Sequence, residues 1–296
     1  KHDSLFILMV KLFPIIFIIL WSSAFVTTKP IVNNSDPFSA LAFRFLFVAI
    51  GFFLFSIYEK KKIFIKKKFL INSLGTGVLF HGFYLGGVFY SVFIGLPVNV
   101  AALIVTLQPI LTNALAGKFL NENVKIQQWA GVLLGFLGAV LVIGLDIGEN
   151  LPSQGIIAVV ISLIAITAST IWQKKVSNDV PLSINNMYQA IGAVIFHLTI
   201  IILFFKDPFL NITSEFLFAM SHQIILVSFG AFSILMFLIR SNSASKTVSL
   251  FFLIPCVTAL MSWYFLNEIL TKIDILGFFI ASIGVYISTY NKKLIT

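Results

Sequence analysis

Charge is the scarcest property of this sequence. Asp, Glu, Lys and Arg make up 10% of its 296 residues against 59% hydrophobic ones, and the mean hydropathy is +1.02. So little charge cannot cover the surface of a water-soluble domain, which excludes a soluble fold. Cysteine occurs once, at Cys256, and excludes an intrachain disulfide. The chain has no G-x-x-x-x-G-K phosphate loop, no H-E-x-x-H metal pair and no G-x-S-x-G nucleophile elbow, and the middles of its long apolar stretches hold no acid. Chemistry that needs a bound nucleotide, a ligated metal or paired carboxylates has no footing, so neither a cofactor nor an enzymatic activity is expected.

What the chain has is apolar length. Ten stretches of about 20 residues, the length needed to cross roughly 30 Å of hydrocarbon, cover 12–31, 37–58, 69–91, 97–117, 126–145, 155–173, 182–205, 216–239, 246–265 and 273–290. They are continuously apolar, whereas the strands of a membrane barrel alternate apolar and polar positions, so helices are expected. The first stretch lacks a small-residue cleavage site and ends at Lys29-Pro30, and it is read as a span rather than a signal peptide.

Basic residues beside short loops stay on the cytoplasmic side, and this sets the orientation. The second connection, Glu59 to Lys68, carries six lysines in ten residues. Placing it inside puts both termini inside, and sixteen of the twenty basic residues then fall there, with only Lys29, Lys206 and Lys272 outside and Arg44 within a span. The net charge of +9 is therefore mostly a topology signal. No nucleic-acid partner is expected; the bilayer is, and a bacterial inner membrane fits this charge bias.

Sliding the chain against itself by 146 residues sets 109–142 against 255–288 with eight identities in 34 pairs. They include Pro109 with Pro255, the block Phe119-Leu120-Asn121-Glu122 with Phe265-Leu266-Asn267-Glu268, Gly131 with Gly277 and Gly138 with Gly284. The expected architecture is an all-α membrane protein of ten helices in two five-helix repeats, residues 1–150 and 151–296. Five is odd, so the second repeat enters the membrane inverted. Inverted repeats favour a transporter, because two halves that exchange conformations open a central site to either side in turn. Pro109 and Pro255, in the middle of the fourth and ninth spans, each remove a helix hydrogen bond and read as paired hinges or as simple bends.

These residues resemble the EamA branch of the drug/metabolite transporter superfamily. The likeness runs along nearly the whole chain, through Trp21-Ser22-Ser23-Ala24-Phe25 and Lys29, Asp36-Pro37-Phe38, Arg44-Phe45, Phe89-Tyr90, Gly95-Leu96-Pro97, the run Ala101 to Thr112, Leu120-Asn121-Glu122, Gln128-Trp129 and Gly131 to Gly138. The second half departs from it, with Ala190 opposite Arg44 and no clean counterpart of the Trp-Ser motif. The resemblance implies a ten-helix basket whose central cavity is lined from both halves, carrying a small polar metabolite such as an amino acid without ATP. Export is the expected direction, and translocation of a lipid or lipid-linked substrate on the same fold is the alternative.

Polar residues within spans are the candidates for such a cavity, since hydrocarbon makes them costly unless they face protein or water. His81 and Tyr84 share a face of the third span; Asn99, Gln108 and Asn113 place amides along the fourth; Tyr188, Gln189 and His197 form the polar set of the seventh. Trp21 and Ser22 join them from the family motif. Arg44 reads either as counter-charge to a substrate carboxylate or as a side chain snorkelling to the outer interface. Trp172 either caps the cavity or anchors the interface. His81 and His197 are the candidates for proton coupling, or they bond across helices. Glu122 and Glu268, at span ends, are expected to cap the helices that follow them. Gly82 with Gly86, and Gly131 with Gly135, permit close helix contact inside the bundle or in a homodimer.

Overall fold

The structure, a computed structural model, describes residues 2–144, 151–266 and 269–290. Ten helices among them are long and apolar enough to cross a membrane: α1 Leu12–Asn34, α2 Pro37–Tyr58, α3 Lys67–Phe93, α4 Val100–Leu120, α5 Ile126–Ile143, α6 Ser153–Val176, α7 Leu182–Phe204, α8 Ser214–Ser241, α9 Ala244–Phe265 and α10 Lys272–Thr289. Each matches one expected span within a few residues. The boundaries are set by local chemistry. Asp36 Oδ1 accepts the amides of Phe38 at 3.1 Å and Ser39 at 2.9 Å, and Pro37 opens α2 where no amide is needed. Thr213 caps α8 through the amide of Phe216, and Thr271 with Asp274 forms a capping box at α10.

Successive connections fall at alternate ends of the bundle. At one end, Glu59 accepts from Ser183 at 2.8 Å, and Tyr188 Oη donates to the carbonyl of Ile63 within the lysine-rich connection. At the other, Asp36 and Asn34 exchange backbone hydrogen bonds with Phe209 and Asn211. The two are called the lysine end and the far end below.

Four helices are irregular, and the irregularities fall at matching places in the two halves. A π-helical stretch interrupts α3 at Val78–Tyr84 and α8 at Gln223–Ala231. Such stretches mark functional sites more often than chance because they displace side chains from the regular helical register. The helix Val98–Val105 breaks at Thr106 and Leu107 before resuming as Gln108–Leu120, and α9 passes through a 3-10 turn, Leu250–Phe252, before Leu253–Leu266. Pro109 and Pro255 are therefore not mid-helix kinks as expected from the sequence. Each sits in the first turn of a second half-helix, where its missing amide leaves no hydrogen bond unmade.

Glycine decides which helices touch. Between α5 and α10, a Cβ on Gly138 would lie 2.3 Å from the amide nitrogen of Ala281, and one on Gly131 would lie 2.4 Å from that of Ser288. Between α3 and α7, a Cβ on Gly77 would meet the carbonyl of Gln189 at 2.2 Å. Gly135 packs on Phe252, Gly82 on Phe196 and Gly86 on Phe38. The glycine faces singled out in the sequence are thus used inside the chain, and a second copy would have to dock elsewhere.

Candidate functional site

Six helices, α1, α2, α3, α4, α8 and α9, enclose a central cavity with an empty volume, mouth included, of about 1030 Å³. Its lining runs from mid-span to the far end: Trp21 to Thr28 of α1, Phe80 to Val92 of α3, Ala101 to Thr106 of α4. Among the described residues none near the lysine end contributes, so the cavity is blind there and opens toward the far end. Both π-helical stretches form wall, giving Phe80, His81 and Tyr84 on one side and Gln223, Val227 and Ser228 on the other. Aromatic rings dominate its floor. Trp21 meets Phe80 edge-on at 6.1 Å and Phe251 at 5.6 Å between centroids, and Phe80 meets Tyr84 at 5.4 Å.

Arg44 supplies the cavity's only full charge among the described residues. It does not snorkel outward: it is 4% exposed, its Nε donates to Ser228 Oγ at 2.9 Å and its Nη1 to Gln223 Oε1. Gln223 is itself held by donating from Nε2 to the carbonyl of Ala24 at 2.9 Å and to Thr27 Oγ1 at 3.1 Å. His222 extends this network, meeting Ser23 Oγ at 3.1 Å. Hydrogen bonds to a buried charge contribute about 1.5–3 kcal/mol each, so the network ties α1, α2 and α8 into one unit.

The lysine end is sealed by polar contacts. Gln108 Nε2 donates to Thr170 Oγ1 at 3.1 Å, Ser73 to Asn185 Oδ1 at 2.8 Å, and Gln173 to Gln189. Lys174 Nζ reaches the carbonyls of Ile239, Arg240 and Asn242. Glu122 does cap a helix, though not the one that follows it: its carboxylate accepts from the amides of Ala244 at 2.7 Å and Ser245 at 3.2 Å, at the start of α9. An anion at a helix N-terminus meets the exposed amides and the positive end of the helix dipole together. Glu268 lies outside the described residues.

The candidates therefore divide. Trp21, Arg44, His81, Tyr84 and Pro255 are on the cavity wall. Ser22 bonds the carbonyl of Ile254 beside it, joining α1 to α9. Gln108, Asn113 and Gln189 are buried in the lysine-end seal, and Gln108 Oε1, both amide atoms of Asn113 and Gln189 Nε2 have no partner among the described residues. Trp172 lies over Gly75 of α3 rather than over the cavity, and Tyr188 pins the lysine-rich connection. His197 Nε2 donates to the carbonyl of His81 at 3.1 Å, a cross-helix bond among the rings of Phe38, Phe45 and Phe196. Pro109 is buried beyond the wall, and the side chain of Asn99 lies outside the described residues. Sequence reasoning missed Gln223 and Ser228. The signal was present, a His222-Gln223 pair inside an apolar span, the same feature that singled out His81.

A multi-pass bundle that encloses a cavity open at one end and sealed at the other by hydrogen bonds between its halves has the architecture of a membrane carrier. The chain belongs to the EamA-like transporter family, whose model matches twice, over residues 8–144 and 153–290. It is similar to a probable amino-acid metabolite efflux pump of Salmonella typhimurium, at 20% identity over 95% of this chain and 94% of that protein. It is also similar to the S-adenosylmethionine uptake transporter of Rickettsia prowazekii, at 25% identity over 90% and 88%. A solved structure shares the fold with a TM-score of 0.79 at 17% identity, covering 95% of this chain and 97% of its own.

Proposed function

We propose that the protein is a secondary carrier of a bacterial inner membrane that exports a small metabolite, an amino acid or a related compound, by alternating access without ATP. In this reading residues 1–150 and 151–296 are inverted repeats, and the lysine end is cytoplasmic. The observation that carries it is the asymmetry of the cavity, open at the far end and sealed at the lysine end by bonds such as Gln108 to Thr170 and Glu122 to the start of α9. The matching π stretches and broken helices support two halves able to exchange conformations. The exchange would close the far end and open the seal, giving Gln108 Oε1, the Asn113 amide and Gln189 Nε2 the polar partners that those atoms lack among the described residues.

His81 is the better placed of the two histidines for proton coupling, since it lines the cavity and His197 does not; Nδ1 of each lacks a partner among the described residues, and His197 Nε2 is committed to a carbonyl. The name of the Salmonella relative supports amino-acid metabolites and efflux. Counterflow in proteoliposomes, with labelled amino acids and related acids at matched and mismatched pH, tests the reading. Accelerated exchange of one compound class is the expected result; exchange of labelled lipid with no soluble compound would replace the reading with lipid translocation.

A further inference from the structure

Arg44 brings a positive charge into the cavity, and no acid among the described residues neutralises it. Its two hydrogen-bonded nitrogens rest on neutral groups, Ser228 and Gln223, and Nη2 donates to no group among the described residues. No acid among the described residues lines the cavity. Asp36, the nearest acid along α2, is occupied: Oδ1 takes the amides of Phe38 and Ser39, and Oδ2 takes that of Phe209 at 3.0 Å. The remaining acids among the described residues stay at span ends or in connections. The Phe45 ring lies 5.4 Å from the guanidinium carbon, but a buried guanidinium held by neutral dipoles and one ring still lacks a counter-charge, and an arriving anion relieves that cost. The planar fork, held on one side by α8 and unoccupied at Nη2, matches the geometry of a carboxylate.

The rest of the wall selects the body of the ligand and argues against a second charge. Trp21, Phe80 and Phe251 present faces and edges to a flat apolar group. An α-ammonium would be fixed a few ångströms from the carboxylate by its own covalent geometry. It would then sit beside Arg44, a like charge, with no acid in reach and its hydration lost. We propose that the cavity selects organic monoanions, with one carboxylate seated on Arg44, an aryl or similarly flat apolar body against the aromatic floor, and no ammonium. On the carrier reading above, on which this rests, the inference narrows the substrates to the compounds related to amino acids, namely aryl carboxylic acids, and away from the zwitterionic amino acids themselves.

The test is counterflow of labelled 3-phenylpropionate into proteoliposomes holding the purified full chain, with 3-phenylpropionamide, phenethylamine and phenylalanine as competitors that share the ring. The expected order puts the acid first, with the amide, amine and amino acid each weaker by roughly tenfold or more. Arg44→Gln is expected to lose most of the exchange and the preference for acid over amide, while Arg44→Lys lowers the rate and keeps the preference. The competitor order in the unaltered protein needs no variant, so a misfolded Arg44→Gln leaves the test intact. Phenylalanine or the amide competing as well as the acid would overturn the charge assignment and leave the carrier standing. Exchange of a labelled amino acid without 3-phenylpropionate would do the same. If no soluble compound exchanges at all, the carrier reading fails and takes this proposal with it.

Discussion

Individual side chains in this protein are judged by what lies within a few ångströms, and the glycines make the point sharply. Gly138 and Gly117 are both helical, yet a Cβ on Gly138 would press on the backbone of α10 at 2.3 Å, whereas one on Gly117 finds only the carbonyl of Glu122 at 3.7 Å. Gly138→Ala is therefore expected to lower stability by about 1–3 kcal/mol through overpacking. Gly117→Ala is expected to raise it by about 0.5–1 kcal/mol through the lost flexibility of the unfolded chain. Thermal unfolding of the two variants in one detergent compares them directly, and equal shifts would refute the close α5–α10 contact. Arg44 and His81 could be picked from the sequence because ionisable groups in apolar runs stand out. Gln108 could be picked equally well, but its assignment to the cavity rested on proximity to Pro109, and sequence proximity says nothing about which end of a helix faces an opening.

Among the elements, the broken helices and the cap across them are the parts that the proposed alternating access would move. Glu122, in the connection between α4 and α5, holds the first turn of α9, so the carboxylate bolts one half of the chain to the other at the lysine end. A cap of this kind contributes about 0.5–2 kcal/mol, enough to shift a near-balanced equilibrium several-fold. Glu122→Ala is expected to open the lysine end more often. In a Cys256→Ser background, Thr112→Cys should then react faster with a membrane-permeant maleimide, and an unchanged rate would show that the cap is not a gate. The paired breaks before Pro109 and Pro255 lead to a second expectation. Pro109→Ala with Pro255→Ala lets each helix run on unbroken, so exchange between states should slow. Spin-label distances across the two ends check this, and unaltered exchange and transport would strip the prolines of a hinge role.

For the whole molecule the open question is sidedness. On the proposed reading, the sealed end that carries the lysine-rich connection faces the cytoplasm and the cavity mouth faces outside. A reporter fused in the connection after Ile143 should be active only outside the cytoplasm. Ala102→Cys, on the cavity wall near the mouth, should be blocked by an impermeant thiol reagent added to intact cells. Cytoplasmic reporter activity would invert the proposed topology and place the cavity mouth on the cytoplasmic side.

The sequence alone determined the class, the number of spans and their approximate limits, because hydrocarbon demands about 20 apolar residues per crossing whatever those residues later touch. It also determined the correspondence of 109–142 with 255–288, since a repeat is a property of the string itself. Only the tertiary structure decided that Arg44 turns to Ser228 and Gln223, that Gln108 and Gln189 belong to the seal, and that Glu122 caps α9 instead of α5. These contacts join residues 62 to 184 positions apart in the chain except for the 16 between Gln173 and Gln189. They are set by the rotation and mutual register of helices, which packing against neighbours fixes and an apolar pattern leaves free.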